Sequence, residues 1–182
     1  MKWYFKIFEP FYHSLKNAWW YYTEARRLRK FKNKHLGEDC FIIGNGPSLN
    51  KTDLEKLNEY HTIGMNKIYL IFKRQNLNLS YLTSVNPLVI EQSKEIYEDF
   101  ICPIFISHKA SKRVVKKKKH IYRLLTTGGI SWKFGETIEE AIYEGCTVTF
   151  IAMQLAFYMG FRRVFLVGID HNFKQTGNPH EE

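Results

Sequence analysis

Gly44-Asn45-Gly46-Pro47-Ser48 directly follows the apolar run Cys40-Phe41-Ile42-Ile43. Glycines let a backbone turn tightly and let a phosphate approach bare N–H groups. Pro47 stiffens the turn, while Asn45 and Ser48 offer side-chain hydrogen bonds. The pattern is not G-x-x-x-x-G-K-[ST], which excludes a P-loop, and Leu49 stands where a full G-x-G-x-x-G fingerprint has its last glycine. A G-x-G turn alone is a weak sign of ligand binding; its place after the first apolar strand strengthens it. A second signal is Gly168-Ile169-Asp170-His171, at the carboxyl end of another apolar run, where open α/β sheets bind ligands. Asp170 either caps a turn or binds a ribose, a metal or an acceptor; together with His171 it is the candidate catalytic position. Asn66, after Gly64-Met65, and Asn86, before Pro87, also follow strand ends. Asparagine commonly caps helices and turns. Yet Asn45, Asn66 and Asn86 at three successive strand ends also suit reading a base or sugar, since an amide both donates and accepts.

These residues need an alternating scaffold. Strands are expected at 40–43, 61–63, 79–83, 103–106 and 163–167, and helices at 67–74, 88–100 and 147–158. Thr52-Asp53-Leu54-Glu55 has the form of a capping box, so a helix is expected to start at Thr52. The pattern predicts an α/β, Rossmann-like fold: a largely parallel sheet with helices on both faces, preceded by a basic aromatic helix. The expected organisation is a segment 1–37 and a domain 38–182. The polar stretch after Asp170 suggests that the domain lacks a C-terminal portion. The uncharged run Gly145 to Phe161 holds Thr147, Thr149 and Gln154, and reads as a buried helix rather than a membrane span.

Charge is unevenly placed. The formal net charge is +9; residues 1–37 hold nine Lys/Arg and two Glu, and residues 109–123 hold eight Lys/Arg and no acid. The remainder is therefore acidic, with two anion-seeking appendages. The first is crowded with aromatics, and a helix is expected from Phe11 to about Lys34. It suits packing on the domain or on another copy of the chain, or an anionic membrane surface; nucleic acid is disfavoured, since no recognised motif accompanies the rings. The second, with Lys116 to Lys119, reads as a solvated loop or as a mobile arm meeting phosphates. Three cysteines without a C-x-x-C argue against a disulfide framework or zinc ribbon and fit a reducing compartment. The expected location is cytoplasmic, peripheral on the inner membrane face.

The Gly44–Leu49 loop, Met65-Asn66, the Gly145–Gly160 stretch and Gly168-Ile169-Asp170-His171-Asn172-Phe173 together resemble the bacterial MptE-like proteins, a family named for an archaeal 6-hydroxymethylpterin diphosphokinase. The likeness is read over about residues 38 to 182, with the aromatic N-terminus outside it. A more distant resemblance is to the bacterial CMP-sialic acid sialyltransferases, which share the glycine loop, a following Asn, an Asn-Pro and a Gly-Ile-Asp strand end. The resemblance implies a nucleotide-binding Rossmann-like fold in which Asn45, Gly46, Asn66 and Asn86 surround the nucleotide. Thr147 or Thr149 would supply a hydroxyl that the sialyltransferases take from a Thr-Ser-Gly absent here. Their general-base histidine comes from a region after the Gly-Ile-Asp strand that this sequence lacks. The implied activity is diphosphoryl transfer from ATP to a hydroxymethylpterin-like acceptor, with Mg²⁺ on Asp170. The alternatives are glycosyl transfer from a nucleotide-activated sugar such as a CMP-sugar, and a non-catalytic nucleotide-binding module.

Overall fold

The structure, a computed structural model, describes residues 18–128 and 133–170. Its centre is a six-stranded sheet in the order β5-β4-β3-β2-β1-β8, with every neighbouring pair parallel. The strands are β1 (Asp39–Ile43), β2 (His61–Met65), β3 (Tyr81–Ser84), β4 (Ile104–Ser107), β5 (Ile121–Leu124) and β8 (Arg163–Val167). Two short strands, β6 (Thr126–Thr127) and β7 (Ile142–Tyr143), pair separately. The chain lays β1 to β5 outward in one direction, then returns to place β8 on the other side of β1. Ligand crevices form where the strand order reverses in this way, and the two motifs read from the sequence leave the carboxyl ends of β1 and β8.

Side chains alternate between the two faces of the sheet. Cys40, Ile42, Tyr81, Phe105 and Tyr122 belong to one apolar cluster; Ile43, Leu82, Ile104, Ile106 and Ile121 belong to the other. The first is covered by α1, a helical segment over residues 18–31 whose middle turn Tyr21–Ala25 is π-helical, and by α4 (Val148–Tyr158). The second is covered by α2 (Pro87–Asp99) and the 3₁₀ turns around Leu49, Leu57 and Ile68. A short α3 (His108–Ser111) follows β4.

The described part of the N-terminal basic segment is not an appendage. Trp20, Glu24, Leu28 and Phe31 recur at helical spacing and are all buried. The Trp20 indole donates to the Arg123 carbonyl at 2.8 Å, and the Phe31 ring meets Phe105 and Tyr122 edge-on at 4.9 and 4.8 Å. The helix expected from Phe11 is thus present from residue 18 to 31; its earlier part lies outside the described residues.

The second basic run is corrected more sharply. Its end, Ile121-Tyr122-Arg123, forms most of β5 and is buried. The sequence hid this strand because four residues containing an arginine carry little periodicity, and that arginine is held inside by distant groups, Glu24 arriving from α1 and the Val115 carbonyl. Lys116 to Lys119 do lie in an exposed loop. The capping box does not form either: Thr52 ends the Pro47–Lys51 3₁₀ turn, and its hydroxyl donates to the Ser48 carbonyl at 3.1 Å. The glycine loop already turns the chain there, so the hydroxyl is drawn backward. The segment expected to be helical at 67–74 is 3₁₀ over Ile68–Lys73. No helix among the described residues is long and apolar enough to cross a membrane.

At the amino ends of β1 and β2, His35 Nδ1 lies 2.7 Å from Glu38 Oε2, and its Nε2 lies 2.6 Å from the Tyr81 hydroxyl. Burial, outweighing the Glu38 contact, holds the His35 imidazole below its ordinary value; His61 and Lys34 push the same way. His108 is lowered too, chiefly by burial, and the Glu38 carboxyl is lowered chiefly by its bond to His35. For both histidines the unfolded chain takes up the proton more readily than the fold does, so stability is lost as pH falls below the ordinary value of 6.5. The Glu38 contribution is present above its ordinary 4.5 and is lost at lower pH still. Melting temperature should therefore be flat from neutrality up to the ordinary thiol value of 9.0, above which the buried Cys40 and Cys102 oppose ionisation, and fall steadily toward about pH 5. The His35→Gln variant should soften the fall. A melting temperature that rises on acidification would contradict this account.

Candidate functional site

The glycine loop is fastened to the end of β8. Gly44 N–H donates to the Val167 carbonyl and Gly46 N–H to the Gly168 carbonyl, each at 2.8 Å. Ser48 N–H donates to Asp170 Oδ2 at 2.7 Å. Gly168 sits in the left-handed region at φ +67°, and a methyl there would run into Leu49. A methyl on Gly44 would collide with the Gly168 carbonyl oxygen; one on Gly46 would collide with the Asp170 carboxylate and come 2.8 Å from the Gly168 oxygen. The physical requirement for these glycines is therefore the close approach of two backbones. This corrects the expectation of bare amides: the N–H groups of Gly44, Gly46 and Ser48 are bonded within the fold, and Pro47 has none.

Side chains define the cleft instead. A hollow of about 560 Å³ opens between the loop, the end of β2 and the start of α4, with Asn45, Asn66, Thr149 and Asp170 in its wall. Asn45 Nδ2 donates to the Met65 carbonyl at 3.0 Å, which ties the loop to β2. Asn66 has φ +51°, a conformation asparagine tolerates better than most residues. Its Oδ1 accepts from the Ser84 hydroxyl at 3.1 Å, and its carbonyl from Tyr97 at 2.9 Å. An adjoining hollow of about 410 Å³ is lined by Asn66, Asn86 and Thr147.

The structure thus gathers Gly44, Asn45, Gly46, Pro47, Asn66, Thr149 and Asp170 around one cleft, with Asn86 and Thr147 in the next hollow. Several have structural duties as well. Asn86 caps α2, its Oδ1 accepting from Leu88 and Val89 N–H. Thr147 caps α4, accepting from Thr149 N–H at 3.2 Å. Ser48 meets Asp170 through its backbone. His171 lies outside the described residues.

On the other side of the loop, Lys67, Lys73 and Arg74 line a hollow of about 370 Å³ together with Asn45, Gly46 and Pro47. Sequence reading passed over these cations. Their signal was three basic residues along one short turn, which only the 3₁₀ conformation brings beside the loop.

The strand order, the parallel sheet covered on both faces and the cleft at its reversal define a Rossmann-like α/β domain. The family model for 6-hydroxymethylpterin diphosphokinase MptE-like proteins matches residues 11–176, and the chain belongs to this family. The match starts well before residue 38 and so takes in most of the aromatic segment, including the buried Trp20 and Phe31. The MAf glycosyltransferase from Magnetospirillum magneticum AMB-1 has a similar fold, with a TM-score of 0.53 and 17% identity over 87% of this chain. The chain spans 28% of that protein's length. No curated protein matches the chain.

Proposed function

We propose that this chain carries the donor-binding domain of a nucleotide-dependent transferase, with the donor in the cleft between the β1 and β8 loops. The observation that carries the reading is the convergence of Asn45, Asn66, Thr149 and Asp170 on a loop braced from two strands. The two amides suit a base or ribose, each presenting a donor and an acceptor. Charge on the donor phosphates falls to Lys67, Lys73 and Arg74, because the Gly44, Gly46 and Ser48 amides are bonded within the fold.

Transfer of a diphosphoryl group from ATP to a hydroxymethyl acceptor, the activity for which the family is named, needs this kind of charge stabilisation. Mg²⁺ often binds through a single carboxylate together with substrate phosphates, and Asp170 lines the cleft in a position to serve. The ion would neutralise phosphate charge there. Glycosyl transfer from a nucleotide-activated sugar is the second reading, supported by the fold shared with a glycosyltransferase over most of the chain.

Calorimetric titration with ATP and with a CMP-sugar, each with and without Mg²⁺, separates the two. Diphosphoryl transfer predicts ATP binding that Mg²⁺ strengthens; glycosyl transfer predicts preference for the sugar nucleotide. Asp170→Asn keeps an oxygen for Ser48 N–H, so its melting temperature should stay within a few degrees of the parent. Its Mg²⁺-dependent affinity should fall at least tenfold. Undiminished binding in this variant would reduce Asp170 to a turn anchor.

A further inference from the structure

The two basic segments, far apart in sequence, meet in the fold. Arg27 reaches the Lys119 carbonyl at 2.9 Å, and its guanidinium lies over the Tyr122 ring. Beside this seam a cavity of about 670 Å³ is walled by Trp19 from α1, His108 and Lys112 around α3, Arg113 and Lys117 from the following loop, and Arg123 from β5. It lies at the β4–β5 end of the sheet, away from the cleft at β1 and β8.

Its charge is unbalanced. Lys112, Arg113, Lys116, Lys117 and Arg123 line it against a single carboxylate, Glu24. Glu24 is occupied, with Arg27 at 2.8 Å and Arg123 at 3.8 Å, and Lys116 faces Glu98. Two wall groups are incompletely satisfied. Arg123 is only 5% exposed; one guanidinium nitrogen donates to the Val115 carbonyl at 2.7 Å, but Nε has no hydrogen-bond partner. His108 Nδ1 is also buried without one. Buried donors are rarely left unpaired, and each exception calls for a reason. Burial, with Lys112 and Arg123 close by, holds the imidazole below its ordinary value, and the surplus of positive charge comes from the lysines and arginines of the wall. At the mouth, Trp19 is 59% exposed; Tyr22, one turn further along the same helix, is 72% exposed.

We propose that this cavity binds a phosphate group. Guanidinium and ammonium donors make their strongest hydrogen bonds to such oxyanions. The phosphate arrives on a lipid headgroup, with Trp19 and Tyr22 resting in the interfacial layer, or on a small soluble ligand. Recognition is the same in both cases, and the source is decided by experiment.

The whole chain is titrated with inorganic phosphate, and separately with vesicles of phosphatidylcholine with and without phosphatidic acid. The test variant is Lys112→Ser/Arg113→Ser/Lys117→Ser, all exposed positions. The matched control, Lys51→Ser/Lys56→Ser/Lys94→Ser, removes equal charge at exposed positions that line neither this cavity nor the cleft. Circular dichroism and melting curves establish that both fold. At least a tenfold loss of affinity in the cavity variant, with less than a twofold change in the control, supports the site. Phosphate binding alone assigns a soluble ligand; selective binding of the acidic vesicles assigns a lipid headgroup. Binding of neither probe, or equal losses in both variants, overturns the proposal.

Discussion

Gly44→Ala is expected to cost about 3 kcal/mol, at the upper end of ordinary overpacking. The added methyl meets the carbonyl oxygen and carbon of Gly168. Both are backbone and cannot swing aside as a side chain could. To relieve the clash, the ends of β1 and β8 must separate, which stretches the Gly44 N–H bond to Val167 and then the Gly46 bond to Gly168. For a domain of this size that loss corresponds to roughly 6–12 °C in melting temperature. Gly46→Ala is the informative comparison. Its methyl falls mainly on the Asp170 carboxylate, which can rotate, so the stability loss should be smaller while the cleft is distorted. Thermal and urea unfolding of both variants test the ordering. A Gly44→Ala melting temperature within 2 °C of the parent, or a reversed order, would mean that the loop is not clamped between two backbones.

The second large effect concerns Glu24. It is 2% exposed, and its carboxylate faces Arg27 and the buried Arg123. Removing one partner of a buried pair strands the other charge, at about 3–5 kcal/mol. The Arg123 contact is long, at 3.8 Å, and Arg27 is partly exposed, so Glu24→Ala should lie near the lower end, about 3 kcal/mol. Much of that loss is the stranded guanidinium, held below its ordinary value mainly by burial, with Glu24 opposing the shift. Glu24→Ala/Arg123→Met removes both charges and should recover most of the stability. A double variant no more stable than the single would show that the pair matters through packing and not through charge.

Much of the sheet was legible because fully buried parallel strands read as short unbroken apolar runs. Cys40-Phe41-Ile42-Ile43 and Pro103-Ile104-Phe105-Ile106 could hardly be anything else. The capped helices were legible too, since Asn86 and Thr147 each stand where a helix begins. Less legible were elements whose identity depends on a distant partner. The strand Ile121–Leu124 contains an arginine whose charge is met inside by Glu24, and Glu24 itself sits among solvent-seeking residues in the sequence.

At the candidate site the positions were readable and part of the chemistry was not. The glycine loop, the asparagines at strand ends and the acid after β8 are local patterns, and they converge because parallel strands deliver their carboxyl ends to one edge. Local pattern could not say that three of the loop's amides are taken. Gly44, Gly46 and Ser48 find their acceptors on Val167, Gly168 and Asp170, more than a hundred residues onward. The sequence by itself determined an α/β domain, its main strands and the sheet edge on which the candidate site residues converge. Tertiary structure alone decided that glycine serves contact between two backbones, that the aromatic N-terminal helix is part of the core, and that two basic segments share one cavity. The physical reason is the same in each case: strand and helix patterns are set by near neighbours, whereas hydrogen-bond pairing and charge compensation are set by whichever distant group the fold brings within about 3 Å.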